Sequence, residues 1–159
     1  MTLPFSPAPP ERTATICRAA ARFCAQRGWA PVAEMPLPNG RRADILALQP
    51  DGCFAILEVK SCARDFLTDQ KWPDYREFSD RLYFAVDLDF PQELLPQDAG
   101  LVVADGLDAA LVREAPSHAL APARRRALLH RYAMLAASRP AALTDPSGFA
   151  ELRAALRVE

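Results

Sequence analysis

Asp44, Glu58 and Lys60 are the residues whose types and spacing point to chemistry. They lie in a stretch, residues 41–61, that reads RRADILAL, then QPDGC, then FAILEVKS. Two apolar runs flank a segment holding Pro50, Asp51 and Gly52, which predicts a β-hairpin with a longer loop. If the hairpin is symmetric about Asp51, Leu48 faces Phe54, Leu46 faces Ile56 and Asp44 faces Glu58. Side chains alternate along a strand, so these six share one face, and Lys60 falls on it too. Carboxylates directly opposite each other, about 5 Å apart at Cβ, repel, and on an apolar face they are poorly solvated. A divalent cation relieves both problems, and a lysine two residues on is placed to orient or activate a water. The competing reading is that Asp44 only begins a strand and Glu58 with Lys60 forms an ion pair on a solvated sheet edge. The apolar residues on both sides of Glu58, with Ile45, Leu57 and Val59 on the opposite face, favour the site, because strands buried on both faces are not solvated edges.

These residues need a framework, and the rest of the chain supplies one. Trp29 to Leu37 reads as a strand leading into Pro38-Asn39-Gly40. A three-residue loop there sets Glu34 opposite Asp44, so Glu34, Asp44 and Glu58 form one row across three strands. A two-residue Asn-Gly turn instead sends Glu34 to the other face. From Glu11 to Arg27, Ile16, Ala19, Ala20 and Phe23 recur at helical spacing, and Gly28 is a natural stop. Ser61 is the expected N-cap of a short helix ending near Lys71, with Asp65 and Asp69 one turn apart on one face. Pro73 then opens a second helical turn carrying Tyr75 and Phe78. Leu82 to Val86 is an apolar run expected as a buried strand, parallel to the Glu58 strand across the intervening helix. Leu101 to Ala104 and Ala110 to Arg113 read as two further strands joined across Asp105-Gly106. Helices are expected from Pro122 to about Ser138 and from Pro146 to Leu156. The triplet Arg124, Arg125 and Arg126 reads as a solvated helix face. The expected organisation is α/β and single-domain: a loose proline-rich tail over residues 1–10, then a domain over 11–159 with a mixed central sheet flanked by helices.

Composition narrows the classes. A chain of 159 residues suits one domain with its own core. Its net charge of −1 provides no global field toward nucleic acid or membrane, so any anion site must come from a local cluster. Cys17, Cys24, Cys53 and Cys62 show no close CxxC spacing, and none lies near His118 or His130, which argues against zinc. Four thiols on buried-looking segments suit a reducing cytoplasm. There is no basic-and-apolar leader and no apolar run of about 18 residues, so export and membrane insertion are not expected.

The order helix, β-meander with Asp on one strand and Glu-x-Lys on the next, helix, strand resembles the PD-(D/E)xK nuclease superfamily. Ala43 stands where the proline of the motif stands. More narrowly, GRRADILAL, ILEVKSCARDFLTDQKWPDY and DRLYFAVDLDFP, across about residues 30 to 92, are similar to the MmcB family of DNA repair proteins. The resemblance implies a restriction-endonuclease-like fold and a role in bacterial DNA repair, with DNA and other repair proteins as partners. It implies Mg²⁺ or Mn²⁺ held by Asp44, Glu58 and the Val59 carbonyl, with Glu34 as an additional acid and Lys60 as the catalytic lysine. Lys71, Trp72 and Tyr75, with Arg42, Asp65 and Asp69, become candidate substrate contacts. For Trp72 and Tyr75 core packing is the competing reading, and for Asp65 and Asp69 simple capping of their helix. Such folds also survive as catalytically silent DNA- or protein-binding scaffolds, which is the alternative to an enzyme.

Overall fold

Pro38, Asn39 and Gly40 turn the chain back on itself, and the rest of the sheet follows from that turn. In the computed structural model, which describes residues 9–148 with Ala150 and Ala154, Gly40 adopts φ 82°, a left-handed value at which a side chain is strained. The loop is the three-residue kind, closed by bonds from Leu37 N–H to Arg41 O and from Gly40 N–H to Leu37 O. It joins β1 (Ala30–Pro36) to β2 (Arg42–Leu48), with Val32 opposite Leu46 and Ala33 opposite Ile45. The second hairpin pairs β2 with β3 (Phe54–Val59), Leu48 facing Phe54 and Leu46 facing Ile56, as the apolar pattern requires.

Among the described residues, six strands form one sheet in sequence order. β4 (Arg81–Asp87) runs parallel to β3, β5 (Gly100–Ala104) runs parallel to β4, and β6 (Ala109–Arg113) closes an antiparallel hairpin with β5. One face is covered by α1 (Pro9–Gln26), whose Ile16, Ala19, Ala20 and Phe23 pack on Ile45, Leu57, Val59 and Tyr83. The other face packs Leu46, Phe54 and Ile56 against Tyr75 and Phe78 of a 3-10 turn (Trp72–Phe78) and against Leu128, Tyr132 and Leu135 of α3 (Pro122–Thr144). Among the described residues, no helix is long and apolar enough to cross a membrane.

Several local expectations change. Pro9 and Pro10, placed in the tail by composition, open α1, as proline does where N–H groups have no partner anyway; the rest of the tail lies outside the described residues. α3 continues past Ser138 through Pro140 to Thr144. Bonds from Tyr132 to Ala30 O and from Arg139 to Glu34 O, with burial of Leu135 and Ser138, hold the helix on the sheet up to the proline, and Ala142 is buried beyond it. Most of the helix expected over 146–156 lies outside the described residues. The arginine triplet is not simply a solvated face. Arg125 makes a two-pronged pair with the buried Asp80, while Arg124 stacks over Phe78 and bonds Glu77 O.

Candidate metal centre and nuclease site

β2 and β3 part company at the proposed site. Their ladder ends at Ile45 opposite Leu57. One step further, where Asp44 meets Glu58, side chains replace the backbone bonds. Asp44 N–H donates to Glu58 Oε1 at 3.0 Å, and Val59 N–H donates to Asp44 Oδ2 at 2.8 Å. Each carboxylate satisfies a backbone donor of the other strand, so the two acids are held together by the groups the fork leaves without ladder partners.

The electrostatics are those of a crowded acidic pair. Glu58 is 3% exposed. Burial, with the Asp44 charge behind it, lifts its carboxyl to about 9, against the pull of the Asp44 amide and the Lys60 ammonium. Asp44 is also raised, again chiefly by burial, with the Val59 amide and Lys60 opposing. The pair therefore retains a proton near neutral pH when no cation is present.

A folded-state carboxyl near 9 against an ordinary 4.5 means the folded chain holds a proton that the unfolded chain releases. The resulting stabilisation is full below the ordinary value and is lost as pH rises through the window up to about 9. In EDTA, wild type should therefore lose stability relative to Glu58→Gln between pH 5 and 9. Urea unfolding of both proteins across that range measures the difference, and parallel curves would remove the assignment.

The structure separates the other candidates. Glu34 has the expected register but not the expected place. It adopts φ 51°, the left-handed region, and Val32 and Met35, the residue after Glu34, pack in the same core layer instead of alternating. The Glu34 side chain is turned out, 66% exposed, 3.9 Å from the Arg42 guanidinium. The row of three acids is not formed, and among the described residues no group of three metal-ligating side chains converges.

Lys60 is 7% exposed and makes its ion pair with Asp69, at 2.7 Å, not with Glu58. Asp69 lies outside the helix that was to carry it. α2 (Ala63–Thr68) is N-capped by Cys62, not by Ser61, and stops before Asp69, whose backbone is extended. Asp65 and Asp69 therefore do not share a helix face. Asp65 instead accepts the Ser61 N–H at 3.1 Å, bracing the turn that follows Lys60. Burial alone would raise the Asp69 carboxyl, but the Lys60 ammonium and the Lys71 amide hold it below its ordinary value.

Tyr75 is a packing residue and not an open platform. Its ring is buried and its hydroxyl donates to Arg42 O at 3.1 Å. Burial, with the charges of Glu58, Asp44 and Asp69, pushes the phenol above its ordinary range. Trp72 is half-buried, edge-on to Phe84 and beneath the Arg76 guanidinium. Arg42 and Lys71 are exposed. Cys17 of α1, on the helix that covers the opposite sheet face, is not part of the pair, although its thiol is lifted to about 11, chiefly by burial, with added contributions from Asp44, Glu34 and Glu58.

The fold and the site thus define a single-domain α/β protein with a largely buried, lysine-flanked carboxylate pair at a fork between two strands. The model of the MmcB-like DNA repair proteins matches residues 5–147, and the chain belongs to that family. A solved protein of unknown function from Silicibacter pomeroyi is 43% identical, with a TM-score of 0.80 over 91% of this chain and 97% of that one. A repair endonuclease from Pyrococcus abyssi matches distantly, at 15% identity and a TM-score of 0.32 over 66% of this chain and 42% of that one. No curated protein is significantly similar to the chain.

Proposed function

We propose that the protein is a divalent-metal-dependent deoxyribonuclease of PD-(D/E)xK type, hydrolysing phosphodiester bonds in DNA repair. The observation that carries this reading is the reciprocal Asp44–Glu58 pair. A buried and a half-buried carboxylate that together retain a proton suit a hard cation with oxygen ligands, Mg²⁺ or Mn²⁺. Asp44, Glu58 and the Val59 carbonyl would hold it, leaving further positions to water and phosphate, as Mg²⁺ commonly does. Bound there, the ion supplies Lewis acidity and a water of lowered pKa. Lys60 positions the attacking water or offsets charge developing on the phosphate. Arg42 and Lys71 take the DNA backbone from the exposed rim, and the open part of Trp72 stacks on a base. Tyr75 supports Arg42 from below through its backbone carbonyl. Asp65 acts indirectly, by bracing the Ser61 turn.

Metal binding is testable without DNA. At Mn²⁺ concentrations about 100-fold above the dissociation constant, the folded state should gain about 2.7 kcal/mol, read as a rise in melting temperature. Glu58→Gln, which keeps an acceptor for the Asp44 amide, should lose most of that gain. An equal Mn²⁺ response in the variant would move the metal elsewhere. Activity itself is tested by incubating the pure protein with branched, single-stranded and duplex DNA in Mg²⁺, Mn²⁺ or EDTA. Metal-dependent cleavage of any of them is the expected result, and binding without cleavage under every metal would replace the enzyme with a scaffold.

A further inference from the structure

Lys60 follows Glu58 by two residues, so strand alternation aims both side chains to one side. An ammonium this buried, beside two carboxylates, is drawn toward them by simple Coulomb attraction, and it would occupy the oxygens a cation needs. It lies elsewhere: Nζ is 2.7 Å from Asp69 Oδ2, with the two side chains 7% and 20% exposed. The reason lies in how α2 ends. The helix stops at Thr68, and Asp69 leaves it with φ −86° and ψ 101°, which turns its carboxylate back toward the sheet. Its second oxygen accepts the Lys71 N–H at 2.8 Å, so the group is fixed from the side away from Lys60 as well.

We infer that Asp69 is a positioning residue that holds the Lys60 ammonium off the Asp44–Glu58 pair and so keeps those oxygens open to a divalent cation. The second half of this inference rests on the metal reading above; the first half does not. Asp69 competes for the lysine with Asp44 and Glu58, both of which feel its charge. Because it is anchored by a backbone amide, the ion pair requires no ordering of a free side chain. The lysine is then beside the cation position without filling it, which is where a residue acting on a water or a phosphate oxygen must stand.

The test is a set of four proteins: wild type, Asp69→Asn, Lys60→Met and the double variant. Asn keeps the size of Asp and an oxygen for the Lys71 amide, so folding is retained. In metal-free crystals of Asp69→Asn, Lys60 Nζ should move to within about 4 Å of a Glu58 or Asp44 oxygen. Calorimetric titration with Mn²⁺ alone should show Asp69→Asn weaker than wild type by at least about 10-fold, the scale of outer-shell effects on metal affinity. The double variant, which has no ammonium to intrude, should regain wild-type affinity. A merely structural ion pair would lower the melting temperature of Asp69→Asn and leave its Mn²⁺ affinity unchanged. A Lys60 that stays in place in Asp69→Asn, or a double variant as weak as the single one, overturns the inference. Should wild type bind no Mn²⁺ while Lys60 still shifts in the variant crystal, the metal reading fails and the positioning of Lys60 by Asp69 stands.

Discussion

Lys60→Met is expected to slow DNA cleavage by at least about 100-fold while changing DNA affinity by less than about 10-fold, the range of a positioned proton-transfer or charge-stabilising group. Methionine keeps much of the apolar stem that fills this buried position and removes only the charge. Asp69 loses its ammonium, but its carboxylate is partly exposed and keeps the Lys71 amide, so the local structure survives the change. An interaction made mainly in the transition state lowers turnover and leaves binding nearly intact, whereas a charge that only attracts the DNA backbone weakens both together. Single-turnover cleavage and fluorescence anisotropy on one substrate separate these outcomes. If the variant cleaves as fast as wild type, Lys60 has no catalytic part.

The largest expected loss of stability is at Asp80, far from the carboxylate pair. Its side chain is 2% exposed and meets four donors. Oδ2 accepts the Phe54 N–H at 2.7 Å and Arg125 Nη1 at 2.8 Å, while Oδ1 accepts the Leu120 N–H at 3.1 Å and Arg125 Nη2 at 2.5 Å. Its backbone bonds Phe54 O and the His118 N–H, and Arg125 also reaches Gly52 O. One residue thus joins the start of β3, the start of β4, the segment before α3 and α3 itself. Asp80→Ala leaves a guanidinium and two amides without their acceptor, and should lower the unfolding free energy by about 3–5 kcal/mol, as loss of one partner of a buried pair does. Burial opposes ionisation of this carboxyl, yet Arg125 and the two amides hold it below its ordinary 3.8. Its contribution is therefore present above that value and fades as pH falls. Urea unfolding at pH 7 checks the size, and a change under about 0.5 kcal/mol, the range of ordinary surface substitutions, would mean that the joint carries little.

The pairing of Asp44 with Glu58 was legible from residue types alone. A slip of one residue in the second hairpin would send Leu46, Leu48, Phe54 and Ile56 to the wrong face, so the apolar alternation admits one register, and that register carries the two acids to the fork. The same applies to α1, whose apolar stripe has one face to bury, and to β4, too apolar to lie anywhere but inside the sheet. Local signals also identified the three-residue turn at Gly40.

Other features depend on residues distant in the chain. Glu34 is in register with Asp44, but its backbone turns left-handed while Met35 enters the core and Arg139, from the far end of α3, bonds its carbonyl. No short-range pattern encodes a dihedral set by packing against a helix a hundred residues away. Lys60 finds Asp69 because α2 ends one residue before it, and helix ends shift by a residue or two with small changes in tertiary contact. Arg125 looked like one of three solvated charges, and became structural only when α3 laid it over Asp80. Alternation and helical periodicity act between near neighbours, so the sequence alone determined which acids share a sheet face. The partner of a long charged side chain is chosen among all groups that folding brings within a few ångströms, and that choice was made by the tertiary structure.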